Sequence, residues 1–267
     1  MTNDDIRYVA TPPSPTMAHL IDAFWESENT SETPLDYPVV PDGCMDIIAF
    51  PENSRHRLMV VGAMCRTEIV QTPPKKIFYG IRFLPGVLPK VLKTSARDLV
   101  DKQVALESFH PELAQALVSF PSCAHDTPAM EKALAPFLLS TAPDELIRRA
   151  IFFIEQSQGA LPIAKLAASL GLSERQLERR FVRDIGYPPK LFARIMRFHA
   201  AHRRLSRSGI GNLTSLAHEQ GYYDQAHFNK EYRRFTGMHP NNAKMSVFYK
   251  RSGERPGYTV PKNKETP

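Results

Sequence analysis

IAKLAASLGLSERQLERRFVRDIGYPP (163–189) and LTSLAHEQGYYDQAHFNKEYRRFTGMHP (213–240) are two copies of one pattern. At a spacing of 50, Ile163 answers to Leu213, Leu166 to Leu216, Ala167 to Ala217, Gly171 to Gly221 and Leu172 to Tyr222. After one inserted residue, Leu177 answers to Phe228, Phe181 to Tyr232, Gly186 to Gly237 and Pro189 to Pro240. Each copy reads as a short helix, a turn carrying Gly and a second helix, so the chain holds two helix-turn-helix units, at 163–186 and 213–236. Ala167 and Ala217 are small enough for the two helices of a unit to cross closely. Gly171 and Gly221 stand where the first helix must end in a left-handed conformation that a side chain opposes. Ser173 with Gln176 three residues later forms a capping box, and Asp224 places a carboxylate at the positive end of the other second helix.

The second helices carry the chemistry. Leu177 and Phe181, and likewise Phe228, Tyr232 and Phe235, recur every three or four residues and define buried stripes. The opposite stripes are Arg175, Glu178, Arg179 and Arg183 in the first unit, and Gln225, Asn229, Lys230 and Arg233 in the second. Arg pairs bidentately with guanine, Gln and Asn do the same with adenine, and Glu accepts from cytosine N4. One charged helix face alone reads as solvated surface. Two equivalent faces on a repeated unit point to double-stranded DNA. Arg179, one turn into its helix, is expected to read a base, and Arg183, further along, to touch phosphate.

Between the copies runs PPKLFARIMRFHAAHRRLSRSG (188–209), which opens with prolines suited to a helix start and ends at Gly209. About 18 residues without a breaker give a helix of about 27 Å. Successive major-groove segments on one face of B-DNA lie about 34 Å apart, so such a helix can hold two recognition helices in adjacent segments of one duplex. Arg194, Arg197, Arg203 and Arg204 on it are expected to be paired or solvated.

Outward from this core the texture changes. Residues 1–115 alternate apolar runs with Pro and Gly: DIIAF (46–50), RLMVVGAM (57–64), TEIVQT (67–72) and KIFYGIRF (76–83) are expected strands. Residues 116–143 are cut by prolines into short helical pieces, a connector, and 251–267 reads as a flexible tail. The fold class expected is α+β: a β-rich first domain (1–115), the helical connector, and an all-α domain (144–250). Residues 144–255 hold 20 Lys/Arg and 10 Asp/Glu out of totals of 34 and 28 in the 267-residue chain, so the helical half is basic and the rest slightly acidic. That asymmetry suits a polyanion partner.

Other classes are disfavoured. No run of about 18 apolar residues suggests a membrane span, and the acidic, proline-rich start lacks the apolar core of a secretion signal, so a cytoplasmic protein without membrane partners is expected. Cys44, Cys65 and Cys123 show no paired spacing, which points to free thiols and no structural metal. Cys44, His56, Cys65, His110, Cys123 and His125 are reactive types, yet no helical H-x-x-x-H pair, G-x-S-x-G elbow, P-loop or G-x-G-x-x-G accompanies them; neither catalysis nor a cofactor is expected. Asp42, Asp46, Arg82 and Trp25 are able to line a pocket, but Asp42-Gly43 is read as a turn and Arg82 as an ion-pair partner.

With both units and the linking helix in view, residues 144–250 resemble the DNA-binding domain of the AraC/XylS family of bacterial transcription regulators. LAASLGLSERQLERRFVRDIGYPP, RFHAAHRRL and LAHEQGYYDQAHFNKEYRRFTGMHP carry the resemblance. It implies base contacts at Arg175, Glu178, Arg179, Gln225, Asn229 and Lys230. It also implies action with RNA polymerase, usually as an activator. The family follows its last Pro with Tyr-Arg; here NNAKMS stands instead, with Lys244 at the basic position. VVPDGCMDIIAF (39–50) and YGIRFLPGVLPKVL (79–92) resemble a small β-rich domain found ahead of this unit in some regulators of unassigned ligand, which implies a small effector or homodimerisation.

Overall fold

The structure, a computed structural model, describes residues 5–52, 55–120, 126–139, 141, 143–208 and 212–242. Gly209, Cys123, His125, Lys244 and the expected tail lie outside these. The first half is an antiparallel β layer. Strands β1 (Ile6–Thr11), β2 (Ile21–Asn29), β4 (Met45–Glu52), β5 (Arg55–Val61), β7 (Ile77–Phe83) and β8 (Gln103–Ala105) form one sheet in the order β1-β2-β7-β4-β5-β8, and β3 (Leu35–Val39) pairs with β6 (Glu68–Thr72) in a second. Position in the sheet explains composition. Edge strand β1 alternates half-buried and exposed residues, while central β4 and β7 bury Met45, Ile47, Ala49, Phe78, Ile81 and Phe83, side chains pointing to both faces. The four strands expected from the apolar runs are present as β4 to β7, and after β8 the chain is helical from Leu106 onward, with one short α-helix, Leu88–Val91, already between β7 and β8.

Short helices α1 (Leu88–Val91), α2 (Leu106–Phe109), α3 (Pro111–Ala116) and α4 (Thr127–Leu138) lead to an all-helical half: α5 (Glu145–Gln156), α6 (Ile163–Ser169), α7 (Glu174–Ile185), α8 (Pro189–Ser208), α9 (Leu213–Glu219) and α10 (Gln225–Thr236). The α+β class is therefore what the chain adopts. The 20 residues of α8 make the linking helix about 30 Å long.

A turn at 40–44 fixes how the halves meet. Pro41 O accepts a 2.6 Å hydrogen bond from His199 Nε2 of α8, and Gly43 lies so close to Phe192 and Tyr187 that a Cβ there would collide with the Phe192 ring. On the other side Gly186, just past α7, abuts Val100 and Ala96, and Gly86 faces Ile185. Thr67 Oγ1 donates to Phe235 O at the end of α10. The β-rich half thus touches the first unit, the linking helix and the second unit, and one apolar cluster runs through both halves.

Between the two sheets lies a cavity of about 120 Å³. Trp25, Asp42, Asp46 and Arg82 all line it. The turn and ion-pair readings of these residues hold as well: Asp42 Oδ1 accepts from Cys44 N (2.8 Å), Gly43 has φ +84°, and Arg82 Nε lies 3.3 Å from Asp46 Oδ1 and 3.6 Å from Asp42 Oδ2. What sequence could not show is that cross-strand register sets Asp46 opposite Arg82 and Trp25 opposite Gly80.

Candidate nucleic-acid interface

The two units are built by the same local devices. Gly171 (φ +68°) and Gly221 (φ +71°) each end a seven-residue helix in the left-handed region, as the turn requires. The hydrogen bonds around them repeat too: Gly171 N to Ala168 O and Leu172 N to Ala167 O in one, Gly221 N to His218 O and Tyr222 N to Ala217 O in the other. Helix α7 then starts from the Ser173–Gln176 capping box, and α10 from Asp224, whose carboxylate accepts from His227 N at 2.7 Å. The inner stripes are buried: Leu177 and Phe181 in α7, Phe228, Tyr232 and Phe235 in α10.

On the outer stripe of α7, Arg175, Glu178 and Arg179 are all exposed. Arg183 is different. Its side chain is 56% exposed, yet Nε donates to Asp184 Oδ1 (2.6 Å) and Nη2 to Asp144 Oδ2 (2.9 Å) and Asp184 Oδ2 (2.8 Å). Asp144 also accepts from Arg180 Nη1 at 2.8 Å and caps α5 through Leu146 N. Burial alone would raise the Asp144 carboxyl, but the hydrogen bonds from Arg183 and Arg180 outweigh it and hold the group below its ordinary range. A phosphate reaching Arg183 would have to compete with two carboxylates.

On α10, Lys230 and Arg233 are exposed, and Gln225 is held by Thr214, whose Oγ1 donates to Gln225 Oε1 at 2.7 Å. Asn229 is half-buried, and its Oδ1 is shielded from solvent without a hydrogen-bond partner. Glu231 on the inner side is 3% exposed and pairs with Arg194 Nε of α8 at 2.8 Å. Other linking-helix cations are engaged as well: Arg197 Nη2 donates to Gly159 O (2.7 Å) and its guanidinium lies over the Tyr222 ring, and Arg204 pairs with Glu219 (2.7 Å). The histidines of α8 are structural in the same sense: His199 bonds Pro41 and His202 Nδ1 the Tyr232 hydroxyl (2.9 Å).

Sequence reasoning missed a surface shared by the two units. A cleft of about 1090 Å³ is lined by Glu174 from the first, Lys190 from the linking helix, and His227, Lys230 and Arg234 from the second. The 227/230/234 spacing, one helical stripe, was the available signal. Tyr223, 86% exposed in the turn before α10, was also passed over. Among the described residues no group of three or more His, Cys, Asp or Glu is placed to hold a metal, and no helix is long and apolar enough to cross a membrane.

Two such units on one linking helix define a DNA-binding regulator of the double-unit type. The family described as Helix-turn-helix domain matches residues 166–245, and that described as Domain of unknown function (DUF6597) matches residues 10–105. A probable AraC family transcriptional regulator from Rhodopseudomonas palustris is 30% identical over 38% of this chain and 95% of its own, with a TM-score of 0.35. ToxT from Vibrio cholerae is 10% identical over 91% of this chain and 98% of its own, with a TM-score of 0.41. The curated relative "Probable thc operon regulatory protein" of Rhodococcus erythropolis is 27% identical over 99 residues; the matched part spans 30% of that relative's length. The helix-turn-helix match over residues 166–245 makes this part of the chain a DNA-binding domain of AraC type and the chain a DNA-binding transcription regulator.

Proposed function

We propose that this chain is a sequence-specific transcription regulator in which one protomer reads two adjacent major-groove segments, α7 in one and α10 in the other. The observation that carries this reading is the pair of equivalent helices with outward Arg175, Glu178 and Arg179 on one and Gln225, Lys230 and Arg233 on the other, joined by a helix of about 30 Å against a groove repeat of about 34 Å. Arg175, Glu178, Arg179, Gln225, Asn229 and Lys230 read bases, with Arg183 and Arg233 at the phosphate margin. The family resemblance supports activation together with RNA polymerase and gives no catalytic role. The first half, residues 1–115, receives a small effector, and a second copy of the chain is its other candidate partner. The route of control is the 40–44 turn, pressed against the linking helix.

Selecting bound sites from random duplex DNA tests the reading. A site with two specified segments about one helical turn apart, and affinity that falls steeply with salt as bound counterions are released, is expected. Failure to enrich any sequence, or a nearly flat salt response, would contradict it.

A further inference from the structure

We propose that the cavity between the two sheets binds a small organic amine, an ammonium group carried on a single aromatic ring or an apolar body of that size. The inference rests on the reading of the first half as an effector domain and names the effector's chemistry. Five aromatic residues, Tyr8, Trp25, Tyr37, Phe50 and Phe78, line the walls. At about 120 Å³ the space is close to that of engineered apolar cavities of about 150 Å³ that admit benzene, so one ring fills it.

Charge selects among one-ring molecules. Arg82 faces two carboxylates, Asp42 and Asp46, and Glu68 adds a third from the opposite sheet. The fold already supplies a donor to each aspartate: Trp25 Nε1 donates to Asp46 Oδ1 at 2.7 Å, and Cys44 N to Asp42 Oδ1 at 2.8 Å. Arg82 Nε is buried at ion-pair distance from both without a well-directed hydrogen bond. The wall therefore carries surplus negative charge in a poorly hydrated place. Burial raises the Asp46 carboxyl to about 6, with Arg82 acting the other way, a sign that this charge is held against its preference. An acid would add another anion to the group, and a neutral ring would leave it uncompensated. An ammonium neutralises it and also meets the negative faces of the surrounding rings.

Occupancy has a path outward. Val40, Asp42 and Cys44 line the cavity from the same turn whose Pro41 and Gly43 press on His199 and Phe192 of α8, and α8 carries both units. A cation drawing on Asp42 acts on that turn, so bound amine changes DNA affinity.

The test uses the full chain with benzylamine, benzoate and benzyl alcohol, each titrated by calorimetry, with affinity for the selected DNA site measured with and without benzylamine. Benzylamine is expected to bind about tenfold or more tighter than either isostere. Asp42→Asn and Asp46→Asn, which each keep an acceptor oxygen, are expected to lose that preference. Benzoate binding as well as benzylamine, no binding of any probe at millimolar concentration, or an amine preference surviving in both variants overturns the proposal. Amine binding that leaves DNA affinity unchanged overturns its part as effector. If amine binds as described but no DNA site is selected, it is the regulator reading that fails, and the cavity's ligand class stands.

Discussion

The two helix-turn-helix units share what is buried and differ in what faces out. Both use a left-handed Gly after seven helical residues, a capped second helix and an aromatic or leucine stripe beneath it. Each recognition helix is also pinned from its inner side by an ion pair, but to different neighbours: α7 to Asp144 at the start of α5, α10 to Arg194 of the linking helix. The outward stripes diverge. One carries guanidinium groups and a carboxylate, the other two amides, an ammonium and a single guanidinium. A repeated scaffold with unlike faces is what reading two unlike base sequences requires, whereas two copies kept only for grip would both carry plain positive charge.

The comparison can be broken most sharply in the cores. Phe181→Ala and Phe228→Ala should each cost about 3–5 kcal/mol in denaturant unfolding, as fully buried rings on equivalent stripes. Wild-type stability with lost DNA binding in either would mean that ring faces DNA. On the outer faces, Arg179→Ala should cost about 1–3 kcal/mol on the selected site and relax preference at one position, while Arg233→Ala should weaken all sequences alike and reduce the salt slope by about one. Single-base variants of the site at several salt concentrations separate the two outcomes.

Anchoring differs next. Asp144→Ala removes the α5 cap and both ion pairs, and should cost about 0.5–2 kcal/mol from the cap alone. Since the folded carboxyl titrates below its unfolded value of about 3.9, this stabilisation is full above that pH and fades as pH falls through the folded value. The variant's acid limb should therefore be flatter than wild type's, and an unchanged limb would deny the clamp. Arg183→Ala should have the smallest effect on DNA, lowering the salt slope by less than about one because Asp144 and Asp184 already balance its charge. A full unit of slope would show that Arg183 leaves those partners for phosphate.

The helical half was legible because its signals are local: caps, glycines and core spacing fall within each unit, and repetition doubles them. Strands β4 to β7 were legible from apolar runs punctuated by Pro and Gly. Strands β1, β2 and β3 were not singled out, since their burial depends on partners far along the chain; β2 pairs with β7 some fifty residues later. The same long-range register hid the cavity, because Trp25, Asp46 and Arg82 meet only once β2, β7 and β4 are side by side. The ion pairing of Arg183 was hidden for a related reason: Asp144, which accepts from it, lies 39 residues earlier.

The central claim is that one rigid linking helix sets two recognition helices one groove repeat apart. Its most direct test is the affinity of the full chain for the selected site against the same site with about five base pairs, half a helical turn, inserted between its two segments. The account predicts a loss of about a hundredfold or more, to the level of a single unit, because the second helix then meets the wrong side of the duplex. Unchanged affinity for the spaced site would contradict it.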